Sequence, residues 1–215
     1  MNIAIILAAG MSSRYNKDKP KQFDDSFNKK MLIEYSIETF INHSEIDSVI
    51  LVVPELYFEE IKNKIKNCLI IKGGKTRQQS SFLGLRACPK NTNNVLIHDA
   101  ARPFVSTQII EDCIKNLNKH IAVSPALPCT DTIIEAKNNS NISKTLDRNI
   151  LYQLQTPQAF NYKILFDCHK KLNEQFTDDI SIIKKQGYEC KIIIGDIKNM
   201  KITYKEDFKI LKSLI

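Results

Sequence analysis

Residues with the chemistry to hold phosphate appear where the first apolar run ends. Ile3-Ala4-Ile5-Ile6-Leu7 leads into Ala8-Ala9-Gly10-Met11-Ser12-Ser13-Arg14, and after a charged gap come Pro20-Lys21-Gln22. A turn of Ala, Gly and Ser lets backbone N–H groups approach phosphate oxygens closely. Arg14 and Lys21 add positive charge where a polyphosphate such as a nucleoside triphosphate would lie. An ordinary strand-to-helix turn with two exposed cations accounts for the same residues. The loop has neither G-x-x-x-x-G-K-[ST] nor G-x-G-x-x-G, which argues against a P-loop enzyme and a dinucleotide dehydrogenase.

A second group lies in Leu96-Ile97-His98-Asp99-Ala100-Ala101-Arg102-Pro103. An apolar strand here delivers Asp99 to the carboxyl edge of a parallel sheet, where open α/β sheets bind ligands. A carboxylate at that edge can hold Mg²⁺, which reaches proteins through one or two carboxylates plus substrate phosphates. The plainer alternatives are a helix N-cap for Asp99 and a surface charge for Arg102. Polar residues also follow apolar runs in Gly73-Gly74-Lys75-Thr76-Arg77-Gln78-Gln79-Ser80, Thr177-Asp178-Asp179 and Asn199-Met200-Lys201-Ile202-Thr203. Taken singly these read as a turn, a helix start and a solvated lysine. Together they fall where strands end.

The elements that must position these residues are legible as short apolar runs alternating with longer segments of helical period, the pattern of a layered α/β fold. Runs at 2–8, 48–53, 68–72, 94–98 and 121–126 are expected to be strands of a mainly parallel sheet. Ile33, Ile37, Phe40 and Ile41 share one helical face, and similar helices are expected over 55–66, 77–87 and 106–118. Pro54 follows a strand and Pro103 precedes a helix. From 129 to 158 the pattern shifts to Asp131–Ala136 and Lys144–Arg148 around the polar turn Lys137–Asn141, a hairpin signature. Such an arm has little core of its own and should rest on a second copy of the chain. Helices near 161–173 and 178–186, with Gly187 as C-cap, precede a strand at 188–194 and a second piece at 199–203. Thr203-Tyr-Lys-Glu206 reads as a capping box that opens a last helix.

At 215 residues one sizeable core suffices, so a single domain over 1–215 with the arm at 129–158 is expected. The net charge of +7 suits an anionic partner. The lysines are scattered, however, with no basic run interleaved with aromatics, which points away from nucleic acid. Six cysteines show no C-x-x-C and no zinc-ligand spacing, and read as reduced, mostly buried small apolar residues. The first apolar run lacks a basic segment before it, and no other run approaches bilayer-spanning length. A soluble, cytoplasmic protein without membrane contact is expected.

In order along the chain stand Leu7-Ala-Ala-Gly10 with Arg14 and Pro20-Lys-Gln22, Gly73-Gly-x-x-Arg77-x-x-Ser80, His98-Asp-Ala-Ala-Arg-Pro103 and Asp131-Thr132. Asp147-Arg148, Gln155-Thr-Pro-Gln158, Thr177-Asp-Asp179 and Asn199-x-Lys-Ile-Thr203 follow. This array resembles the 2-C-methyl-D-erythritol 4-phosphate cytidylyltransferase family over nearly the whole length. The resemblance implies a Rossmann-like sheet with helices on both faces and a dimerising β-arm. It also implies transfer of CMP from CTP to methylerythritol phosphate with Mg²⁺ or another divalent cation, in the non-mevalonate route to isoprenoids.

Carried over by motif, Arg14 and Lys21 would grip the triphosphate and stabilise the transition state. Asp99 would contact metal and substrate, and Lys201 would neutralise the reacting phosphates. Ala8, Ala9, Gly10, Gly74 and Ser80 would hold the nucleotide. Arg102, Thr156, Thr177 and Arg148 would bind the alcohol phosphate, with Arg148 reaching across from the partner's arm. Two departures from the family pattern are Ser12, where a second Gly is frequent, and Lys75, where some members carry an acidic residue. A ribitol 5-phosphate cytidylyltransferase and a non-catalytic nucleotide-binding module of the same fold are the competing readings. Asp147-Arg148 and Thr177-Asp178-Asp179 favour the methylerythritol enzyme over the first. Arg14, Lys21, Asp99 and Lys201 together speak against the second.

Overall fold

The structure is a computed structural model that describes residues 1–11, 20–25, 29–138, 141–172, 174–204, 206–207 and 209–210. Arg14 and Ser12 therefore lie outside the described residues. The first five strands fall where the apolar runs end at turn signals: β1 Asn2–Leu7, β2 Ser48–Val53, β3 Leu69–Lys72, β4 Asn94–Asp99 and β5 Ala122–Pro128. Helices α1 Leu32–Ile41, α2 Phe58–Lys64, α3 Arg77–Arg86 and α4 Thr107–Leu117 separate them. The expected helix over 55–66 begins as a 3-10 turn, Glu55–Tyr57, behind Pro54. After the arm come β8 Tyr152–Leu154, β9 Gln158–Asn161, α5 Tyr162–Lys171, α6 Asp179–Lys185 and β10 Cys190–Ile194.

The sheet runs β10-β5-β9-β4-β1-β2-β3, with β8 paired to β5. Pairs β1–β2, β1–β4, β2–β3 and β5–β10 are parallel. The sheet is mixed rather than parallel throughout, because β9 inserts antiparallel between β4 and β5 and β8 adds antiparallel to β5. The sequence pattern assigns no strand to residues 158–161, which form β9.

Alternation along the strands explains the two-sided core. Ala4, Ile6, Val49, Leu51 and Leu96 meet residues of α1, α2 and α4 on one face. Ile3, Ile5, Ile50, Val52, Val95 and Ile97 meet α3, α5 and α6 on the other. Strands β1, β2 and β4 are therefore apolar at consecutive positions, as strands covered on both faces require. Gly187 takes φ +83° just past α6, the left-handed C-cap expected of it.

The arm is smaller than the segment that announced it. Only β6 Ile134–Lys137 and β7 Asn141–Thr145 form a separate two-stranded sheet, with a register shift between Glu135 and Ala136. Every residue of both strands is exposed. The piece at 199–203 is not a strand: its Ile202 N–H bonds the Ala101 carbonyl, a single tie rather than a ladder. At the expected capping box, Asp207 rather than Glu206 accepts the N–H of Thr203, at 2.6 Å. Among the described residues no helix is long and apolar enough to cross a membrane.

Candidate active site

A cleft of about 480 Å³ opens beyond the carboxyl ends of β1 and β4 and the N-terminus of α3. Parallel neighbours in register bring Leu7 beside Asp99, so the loops after both strands meet at one edge. The Ala8 N–H continues the ladder to the Val52 carbonyl at 2.8 Å, which carries Ala8-Ala9-Gly10 out along the cleft. Gln22 braces this turn from behind, donating through Nε2 to the carbonyls of Ala8 at 2.6 Å and Gly10 at 2.7 Å. The bracing fixes Lys21 beside the loop, and Lys21 Nζ bonds the Ile202 carbonyl. The motif had contained Gln22, but its role needs the folded turn to be seen.

The second loop packs on the first. A Cβ built on Gly73 would stand 2.5 Å from Ala9 Cβ, so a side chain there would separate the two turns. Ser80 Oγ accepts the Gly74 N–H at 3.1 Å and donates to the Thr76 carbonyl at 3.0 Å. It is buried and holds the Gly74 turn in place. Thr76 caps α3 by accepting from the Gln79 N–H. Lys75 lines the cleft while its N–H bonds Gln79 Oε1 at 2.8 Å. By contrast, a Cβ on Gly10 would meet nothing within 4 Å, so packing within the chain does not demand glycine there.

Asp99 stands at the centre. Its Oδ2 accepts from Lys201 Nζ at 2.7 Å and its Oδ1 from Arg77 Nε at 3.2 Å. Its side chain therefore caps no helix; Ser106 does that for α4. Burial pushes the Asp99 carboxyl up, but Arg77, Lys201 and Arg102 outweigh it and hold the group well below the usual carboxylate range. Arg77 reaches on to Asp179, Nη1 to Oδ2 at 2.7 Å. Asp179 is fully buried; its Oδ1 accepts from Ser81 Oγ at 2.6 Å and pairs with His169 Nε2 at 2.9 Å. Burial raises its pKa, yet Arg77 and the His169 bond prevail and bring it down to about 2.

The residues expected to bind the alcohol phosphate are not among those lining this cleft in one chain. Thr156 is buried, and its hydroxyl accepts the Asp99 N–H at 3.0 Å and meets His98 Nδ1 at 3.1 Å. With the His98 Nε2–H given to the Arg102 carbonyl, at 2.8 Å, this set fixes a neutral imidazole. Burial pushes its pKa down to about 4. Arg102 donates to the carbonyls of Asn199 at 2.7 Å and Leu154 at 3.2 Å. Arg148 donates to the Thr130 carbonyl at 2.9 Å at the base of the arm, and Thr177 bonds its neighbour Asp178, which is the N-cap of α6. Lys21, Asp99, Lys201, Gly74 and Ser80 do share the cleft with the Ala8–Gly10 turn.

A profile of the family described as IspD, 2-C-methyl-D-erythritol 4-phosphate cytidylyltransferase, matches residues 2–215. The chain is 39% identical over 221 residues to the 2-C-methyl-D-erythritol 4-phosphate cytidylyltransferase of Thermosipho melanesiensis, covering 98% of this chain and 96% of that protein. It is 41% identical over 216 residues to the enzyme of that name from Clostridium botulinum strain Loch Maree, with 96% and 93% covered. A crystal structure of the 4-diphosphocytidyl-2C-methyl-D-erythritol synthase from Anaerococcus prevotii superposes with a TM-score of 0.86 at 28% identity, covering 100% of this chain and 95% of the other. Ordered motifs, mixed sheet and cationic cleft thus coincide with relatives matched over nearly their full length, and the chain belongs to the 2-C-methyl-D-erythritol 4-phosphate cytidylyltransferase family.

Proposed function

We propose that this chain transfers CMP from CTP to 2-C-methyl-D-erythritol 4-phosphate, releasing pyrophosphate, as a step of non-mevalonate isoprenoid synthesis. The observation that carries this reading is the gathering of Lys21, Arg77 and Lys201 with Asp99 in one cleft beside a small-residue turn. A phosphate oxygen of the alcohol phosphate forms a bond to the α-phosphorus while the bond to the β-phosphate bridging oxygen breaks, and that electron pair leaves with pyrophosphate. Negative charge grows on the transferred group and the departing oxygens, so the protein's work is alignment and charge stabilisation. Lys21 and Arg14 grip the triphosphate, Lys201 neutralises the reacting phosphates, and the Ala8–Gly10 turn and Gly74 hold the nucleotide. No covalent nucleophile is needed.

Among the described residues no group of three or more His, Cys, Asp or Glu side chains is gathered as a metal cage. One carboxylate at the cleft instead fits a hard divalent ion that arrives with the triphosphate and keeps most of its other oxygen ligands. Asp99 would hold Mg²⁺ or a similar cation, which supplies positive charge against the phosphates.

The same reading makes the active unit a cytoplasmic homodimer joined through the arm. Its support is the arm's full exposure together with Ile142, 68% exposed, and the nearby Ile150, 75% exposed. Arg148 at the arm's base would enter the partner's cleft and bind the alcohol phosphate with Arg102, Thr156 and Thr177. The deciding experiment supplies CTP with either methylerythritol phosphate or ribitol 5-phosphate and follows pyrophosphate release, with the product identified by ³¹P NMR. Faster turnover of ribitol 5-phosphate overturns the choice of alcohol, and binding of CTP without turnover of either overturns the enzymatic reading.

A further inference from the structure

Asp99 has two oxygens, and their orientation decides what it can offer a ligand. Lys201 holds Oδ2 from a side chain that is 45% exposed, whereas Arg77 holds Oδ1 from the cleft wall. Arg77 is not itself free to turn. Its Nη1 bonds Asp179, whose carboxylate is fixed by Ser81 and His169 and whose N–H donates to Gln158 Oε1 at 3.1 Å. His169 in turn stacks on Phe82 with ring centroids 5.6 Å apart and planes 8° from parallel. A planar guanidinium bridging two carboxylates transmits position in a way that a point charge does not.

We propose that Arg77 is a positioning residue, anchored on buried Asp179, that fixes the rotation of the Asp99 carboxylate so that Oδ2, the oxygen bonded to the half-exposed ammonium of Lys201, is the one presented to the bound nucleotide and its cation. Asp179 acts at one remove, through Arg77, and touches no reacting atom. Outer partners of this kind commonly change ligand affinity or activity by about 10–100-fold when removed.

The inference rests on the proposed function for its turnover assay, so the test also reads binding of Mn²⁺ and CTP, which does not depend on the alcohol. Arg77→Lys, Asp179→Asn and the double variant are compared with wild type in kcat, in KM for both substrates, in Tm and in Mn²⁺ affinity by electron paramagnetic resonance with CTP present. The expected result is a fall of about 10–100-fold in kcat and in Mn²⁺ affinity for each single variant. KM for the alcohol phosphate should change little. The double variant should be no worse than the poorer single, because both break one relay.

Multiplied losses in the double variant overturn the proposal. So does an Asp179→Asn protein with lowered Tm but wild-type kcat and Mn²⁺ affinity, since Asp179 would then be structural and Arg77 would act directly. Should Asp179→Asn not fold, Arg77→Lys decides alone: wild-type kcat and Mn²⁺ affinity with lysine show that charge suffices and overturn positioning. If wild type turns over neither alcohol while the Mn²⁺ effects remain, the functional reading fails and the positioning role stands.

Discussion

The cleft wall and the arm are built on opposite terms. Behind the wall Asp179 has no exposed surface and every oxygen of its carboxylate is bonded within the chain. In the arm all residues of β6 and β7 face solvent and the strands pair only with each other. A lone two-stranded hairpin is marginal in water, whereas a buried carboxylate with all partners present is fixed by the surrounding fold. The wall is thus specified within one chain, while the arm carries apolar side chains that one chain leaves uncovered.

Removing the centre of the wall should have the largest effect. Asp179→Ala leaves Arg77 and His169 facing a gap, and breaking a buried charge pair on one side costs about 3–5 kcal/mol, to be read from urea unfolding. Next comes the cleft itself: Lys21→Ala or Arg14→Ala should keep the fold and lower turnover by about 10²–10³, the usual effect of deleting one transition-state charge stabiliser. Near-normal rates in both would remove their assigned roles.

Acid provides a milder probe of the wall. His98 titrates near 4 in the fold against 6.5 when unfolded, so the unfolded chain takes the proton first as pH falls. Stability that is full above about pH 6.5 should decline by about 1.4 kcal/mol per pH unit down to about pH 4. The Asp179 contribution, from a carboxyl lowered to about 2, should be lost only below that range. Urea midpoints measured across both ranges test the order; a single acid transition below pH 4 would contradict it.

The arm should respond in the reverse sense. Arg148→Ala should impair use of the alcohol phosphate far more than CTP binding, and equal loss of both would count against a shared site. Smallest of all in the isolated chain is Ile142→Ser, expected to alter unfolding free energy by less than about 0.5 kcal/mol while shifting sedimentation toward monomer. A large stability loss at dilution that gives monomer would show that the arm packs on its own chain.

This contrast also marks what could be read from residues alone. Strands β1, β2, β4 and β5 were legible because burial on both faces writes them as apolar runs bounded by turn residues, and the edge strand β3 as a short apolar run of which only Ile70 is buried. Gln158-Ala-Phe-Asn161 was not, since four mixed residues directly before a helix carry no period of their own. Asp99 was singled out by its chemistry at the end of β4 and Lys21 by its charge beside the first turn, whereas Lys201 drew its role from the family resemblance; all three line one cleft. Asp179 was hidden behind a helix-start pattern in which Asp178 is the actual cap. Its burial depends on Arg77 and Ser81, about a hundred residues earlier, and spacing within one segment cannot report such partners.

The antiparallel insertion of β9 has a consequence for how the chain comes together. Strands β4 and β5 never touch as neighbours; residues 158–161 join them, with Val95 opposite Phe160 and Phe160 opposite Ala122. During synthesis the segment through β5 must therefore wait, with two open sheet edges, until the polypeptide beyond the arm has emerged. Such edges invite pairing with other chains, and long-range closure is slow. A nascent chain stalled before residue 158 would present an unfilled slot where the finished protein has the middle of its sheet.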